Sequence, residues 1–157
     1  MARSSSSRDI SFETDFGSAR IRWDGPRATL FLDGVESSAV DTSDPTYLEF
    51  EYMQHMSAVV AASRGEGDRF RALHVGGAAC ALACAWSARY PQSRHVAVEV
   101  DGALATQVRE HFPIPKAPQV KIRVGDGRAV LDAAREGAFD VIVRDAFAAG
   151  VTPGHLR

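Results

Sequence analysis

The chain has 157 residues, 45% of them hydrophobic, and carries 18 Lys+Arg against 20 Asp+Glu for a net charge of −2. That length suits one domain with a real core. The balanced charge offers no excess for wrapping nucleic acid, and no run approaches the about 18 apolar residues of a membrane span.

Met1-Ala2-Arg3-Ser4-Ser5-Ser6-Ser7-Arg8 has no apolar stretch behind its basic start, so it does not read as a secretory leader, and a cytoplasmic location is expected. Residues 1–18 read as a disordered tail. Ala19-Arg20-Ile21-Arg22-Trp23 alternates, Asp24-Gly25 supplies a turn, and Ala28-Thr29-Leu30-Phe31-Leu32 follows, which predicts a β-hairpin. Asp33-Gly34 breaks the second strand. Glu36, Asp41, Asp44, Glu49 and Glu51 then form an acidic stretch with no base. Inside it, Asp44 suits a helix cap and Pro45 the first helical position. Leu48, Tyr52, Met56 and Val59/Val60 recur at helical spacing and carry that helix to about Ser63. Hairpin and helix make an N-terminal region over 19–62.

A second region, 70–157, alternates strand and helix. Strands are expected over Arg71–Val75, Arg94–Val100, Gln119–Val124 and Ala138–Arg144. Helices are expected over Ala79–Arg89, Gly102–His111 and Arg128–Glu136. This order predicts a Rossmann-like α/β fold, a parallel sheet with right-handed crossovers. Thr152-Pro153 reads as the start of a further helix. Arg157 comes before the strands that would complete such a sheet, so the sheet is expected to be partial. Its bare last strand predicts self-association, as a homodimer or higher. Cys80 and Cys84, four apart on one helix face, read as core.

Ligands of open α/β sheets bind beyond the carboxyl ends of the strands. Gly76 and Gly77 follow the first strand and let backbone N–H groups approach a ligand closely. Glu99 ends the second strand 22 residues after Gly77, where a carboxylate can accept both hydroxyls of a ribose. Asp101 behind it reads as a helix cap. Asp126 and Gly127 follow the third strand. Asp126 can accept from an adenine amino group, cap the next helix, or do both. Asp145 ends the apolar fourth strand, where core packing does not explain a carboxylate. It reads as a general base or an anchor for a substrate amine.

Together these residues resemble the spermidine synthase (aminopropyltransferase) family. Leu32-Asp33-Gly34-Val35 is similar to its LDG-V segment. Glu51 and His55 are similar to the Glu and His of its YHE-M-x-x-H stretch. Leu73-His74-Val75-Gly76-Gly77 resembles its glycine loop, Val98-Glu99-Val100-Asp101 its VEID strand, and Gly125-Asp126-Gly127 its GDG turn. Val143-Arg144-Asp145-Ala146-Phe147 resembles its catalytic loop. The resemblance implies a small N-terminal β-domain before a class I methyltransferase-type sheet. It implies aminopropyl transfer from decarboxylated S-adenosylmethionine to a putrescine-like amine, without a metal. Asp145 would be catalytic, Gly76, Gly77, Glu99, Asp126 and Gly127 would hold the nucleoside, and Glu51 and His55 the substrate.

The chain departs from that pattern at Ala78-Ala79, where the family carries an Asp behind its glycines, and at Ala146-Phe147-Ala148, which replaces a polar loop. Two other readings therefore stand beside the first. One is methyl transfer from S-adenosylmethionine, and the other is a non-catalytic nucleoside-binding or assembly module.

Overall fold

Tight turns build the first layer. In the computed structural model, which describes residues 8–147 and 153–157, strands β1 (Arg8–Glu13), β2 (Ser18–Asp24), β3 (Arg27–Leu32) and β4 (Val35–Asp41) form an antiparallel sheet in chain order. β2 and β3 meet through Gly25-Pro26, with Asp24 opposite Arg27. Gly25 has φ +57, and the proline ring holds the next φ negative, the sign pair of a type II′ turn. β3 and β4 meet through Asp33-Gly34 at φ 49 and 80, the two positive values a type I′ turn requires.

The expected hairpin is thus the centre of a four-stranded meander. Two expectations are corrected here. Residues 8–13, assigned to the tail, pair in full with β2 from Arg8↔Trp23 to Glu13↔Ser18. Asp33-Gly34 does not end the sheet but reverses it into β4, whose Glu36-Ser37-Ser38 run hides the strand from a reading of apolar alternation. Residues 1–7 lie outside the described residues.

The first helix also differs from expectation. Helix α1 covers Glu51–Ala61, starting well after Asp44. The Asp44 carboxylate accepts from the backbone N–H and hydroxyl of Thr46, and Asp41 binds Ser43. These local bonds hold the acidic stretch in turns, the usual competition of Asp side chains with a helix.

The second region follows the predicted order. β5 (Arg71–Val75), α2 (Ala81–Arg89), β6 (Arg94–Glu99), α3 (Gly102–His111), β7 (Val120–Val124), α4 (Gly127–Asp132) and β8 (Val141–Arg144) give a parallel sheet ordered β7-β6-β5-β8. The fourth strand is shorter than expected, and α4 stops early. Ala134 N–H bonds to the carbonyl of Leu131, a tightened turn that ends the helix before Glu136. A single 3-10 turn, Gly154–Leu156, replaces the helix expected from Thr152-Pro153, and Thr152 itself lies outside the described residues.

Strand alternation sorts the core onto two sheet faces. Ala72 of β5 packs with Met53, Val60, Leu82, Trp86 and Val143 under α1 and α2. Leu73 and Val75, one residue out of phase, pack with Val98 and Val130 under α4. Ile21 and Leu30 of the meander join Ala83 of α2, Val108 of α3 and Phe112 just past α3, so the small sheet lies against the larger layer. No helix among the described residues is long and apolar enough to cross a membrane.

Candidate active site

The sheet order reverses between β5 and β8. The chain moves outward through β6 and β7, then returns to the other side of β5. Such a reversal opens a crevice at the carboxyl ends of the strands. Gly76 and Asp145 occupy it. Asp145 N–H donates to the carbonyl of Val75 at 2.9 Å, and Gly76 N–H donates to that of Val98 at 2.9 Å. Gly76 has φ +74, and a methyl there would collide with the Asp145 carbonyl oxygen and the Cα of Ala146. Glycine is therefore required twice, by backbone sign and by space.

The loop continues with Ala78 at φ 43 and Cys80 at φ 59, so left-handed backbone recurs at every second residue. A left-handed L-residue costs about 1–2 kcal/mol. The Glu99 carboxylate accepts from the Asp101 N–H at 3.1 Å. Burial raises its pKa above the ordinary range, against hydrogen bonds from the backbone of Asp101, Ala78 and Val100. Glu99 thus lies against the glycine loop at the end of β6. Cys80 is the buried residue preceding α2, Cys84 is half-buried, and both are free thiols whose pKa burial raises.

Asp101 caps α3, accepting from Leu104 N–H at 2.8 Å and from Asp15 N–H at 3.1 Å. Burial pushes its carboxyl up, but these amide bonds outweigh it and leave it below the ordinary value. Asp15, in the segment assigned to the tail, accepts from Gly102 and Ala103 at 2.8 and 3.1 Å. Both carboxylates serve the α3 N-terminus, where the helix dipole favours negative charge.

Asp126 caps α4 through Ala129 N–H at 2.9 Å, and its other oxygen meets His155 Nε2 at 2.7 Å. Those bonds hold the Asp126 carboxyl below its ordinary value. Gly127 is buried over β5, where a methyl would collide with Val75. Its place is set by packing.

Asp145 is half-buried, and one oxygen accepts from the Tyr52 hydroxyl at 2.9 Å. Burial raises the Asp145 pKa, against the Tyr52 bond. Burial, then the Asp145 charge, pushes the Tyr52 phenol far above 10, so it remains a donor. Helical spacing places Tyr52 in α1's apolar stripe and gives it no other role. A hydroxyl-bearing ring in that stripe was the available signal.

The sheet therefore brings Gly76, Gly77, Glu99, Asp126, Gly127 and Asp145 to one end of the molecule. Glu51 and His55 lie on α1. These face solvent, 85% and 74% exposed, and pair with each other at 3.7 Å. Tyr52, one residue from Glu51, reaches the crevice through Asp145. Val100, Val124 and Phe147, each more than half exposed, add apolar surface beyond β6, β7 and β8. Ala148 lies outside the described residues. No group of three His, Cys, Asp or Glu side chains suited to a metal forms among the described residues.

No family model matches the chain, and no curated protein matches it in sequence. Among solved structures it is similar to a probable spermidine synthase from Corynebacterium glutamicum, at 36% identity and a TM-score of 0.86. That match covers 94% of this chain and 55% of the other, so the chain spans little more than half the relative's length. The spermidine synthase of Thermotoga maritima matches at 19% identity and TM-score 0.64, over 94% of this chain and 48% of that one. Human methyltransferase-like protein 13, solved in complex with SAH, matches at 24% identity and TM-score 0.55, over 63% of this chain and 49% of that one. The last two likenesses speak to fold, which is the methyltransferase-type sheet expected.

Proposed function

Taking as premise that the chain belongs to the spermidine synthase family, we propose that it binds an adenosyl sulfonium beyond β5–β7 and transfers an aminopropyl group to a diamine of the putrescine type. The observation that carries this reading is the half-buried Asp145 in the switch crevice, touching the glycine loop and held by Tyr52. A spermidine synthase structure that is similar in fold holds the transition-state analogue AdoDATO, and the methyltransferase holds SAH, which supports an adenosyl-type ligand.

In the proposed step, Asp145 takes a proton from the substrate ammonium. The freed nitrogen lone pair attacks the sulfur-bound methylene of decarboxylated S-adenosylmethionine. A C–N bond forms, the C–S bond breaks, and its electron pair neutralises sulfur to give methylthioadenosine. A sulfonium is already activated, so positioning and proton removal are the remaining work. Glu99 would take the ribose hydroxyls, and the rim of Val100, Val124 and Phe147 would take the base. Asp126 would reach the adenine amino group only by giving up His155.

The Ala78-Ala79 stretch supports a second reading, methyl transfer from S-adenosylmethionine, because the glycine loop supplies no carboxylate of its own for an aminopropyl amine. Calorimetric titration decides between them. Tighter binding of methylthioadenosine than of S-adenosylhomocysteine supports aminopropyl transfer, the reverse supports methyl transfer, and binding of neither leaves the assembly-module reading. Self-association is proposed through β8, a sheet edge whose Ile142 is 52% exposed. A monomer in sedimentation at tens of micromolar would refute it.

A further inference from the structure

We propose that the end of the parallel sheet opposite the crevice binds a phosphate-bearing small molecule. A depression of about 670 Å³ lies across the amino-terminal ends of β5, β6, β7 and β8, with Arg69, Arg71 and Arg94 in its wall. Arg71 and Arg94 are direct neighbours in the β5–β6 register. Like charges side by side on adjacent strands destabilise a sheet. No compensating partner is present: none of the three guanidinium groups forms an ion pair among the described residues. Asp140, the carboxylate in the same wall, accepts instead from the backbone N–H of Arg71 at 2.8 Å. Three arginines thus border a depression that holds one carboxylate, in a molecule whose net charge is −2.

The chemistry of the wall names the ligand class. Guanidinium forks match the geometry of phosphate oxygens, and an anion between them would turn the Arg71–Arg94 repulsion into attraction. Gln92 and Gln119 add amide donors. The volume lies in the range of small-molecule sites and exceeds what one phosphate fills. Pro91 and Pro118, both exposed in the wall, give an organic group an apolar surface. This inference does not depend on the reaction proposed for the other end of the sheet.

The test is calorimetric titration of the 157-residue chain at low ionic strength with inorganic pyrophosphate and with ATP. One saturable site is expected, weakened about tenfold by Arg71→Gln and again by Arg94→Gln. Methylthioadenosine at saturation should leave it unchanged. Tighter binding of ATP identifies an organic phosphate as the ligand, and equal binding identifies the free anion. Thermal unfolding gives a second readout. Pyrophosphate should raise the Tm of the parent but not of the double variant, whose fold circular dichroism verifies. In phosphate-free buffer, Arg94→Gln should itself raise the Tm by removing the repulsion. Absence of saturable binding, undiminished binding by the double variant, or competition with methylthioadenosine would overturn the proposal.

Discussion

At the scale of single residues, the Tyr52–Asp145 contact joins positions 93 apart in the chain and controls the proposed base. The Tyr52 bond holds the Asp145 pKa down against burial. Removing it with Tyr52→Phe should raise that pKa, so the acidic limb of the pH–rate profile should move to higher pH. Asp145→Asn should lower kcat by about 10²–10⁴-fold, the usual worth of a positioned base, and leave methylthioadenosine binding intact. An unchanged acidic limb in Tyr52→Phe, or an active Asp145→Asn, would refute these roles. Gly76→Ala should cost more stability than Gly127→Ala. The first sets a methyl against backbone at φ +74, whereas the second meets a valine side chain that can shift. Chemical denaturation of the two variants checks the order. Asp145 was readable from the sequence because a carboxylate ending an apolar strand has no packing reason. Tyr52 was not, because its partner lies in another element.

At the scale of elements, the loop between β1 and β2 docks onto α3. Asp15 binds the first two N–H groups of that helix. Asp15→Ala should destabilise the fold by about 1–2 kcal/mol, the range of a lost helix cap, measured by urea unfolding. A change within error would show that Asp101 caps α3 alone. The strands and helices from β5 to α3 were legible because each combines an apolar run with its own turn residues. β1, β4 and the start of α1 were not. β1 pairs through its backbone, β4 is polar, and the Asp44 signal for a cap is also a signal for a turn.

At the scale of the whole molecule, a buried hydrogen-bonded string links β5 to β6. His74 Nε2 lies 3.1 Å from His95 Nδ1, His95 Nε2 lies 2.7 Å from Ser93 Oγ, and Ser93 Oγ donates to the Tyr90 carbonyl. With the serine proton given to that carbonyl, His95 Nε2–H donates to Ser93 and His74 Nε2–H donates to His95. Both rings are neutral in this arrangement. Burial lowers both pKa values below the ordinary 6.5, and the neighbouring ring lowers His74 further. The unfolded chain therefore binds protons first, so the stability these rings contribute is complete above pH 6.5 and lost as pH falls through the folded values. The limiting slope is about 1.4 kcal/mol per pH unit for each ring. Urea midpoints between pH 7 and 5 should fall in the parent and less steeply in His74→Gln/His95→Gln; parallel slopes would refute the assignment. Read alone, the sequence determined the alternating βα order, the strand ends that carry glycine and carboxylates, and the family resemblance, because apolar period, turn residues and motif spacing are local properties. Tertiary structure decided which α1 side chain meets Asp145, that the residues before β2 form a strand and cap a helix, and that two arginines stand side by side. Each depends on strand register or on packing between distant segments, and no local pattern in the chain encodes those distances.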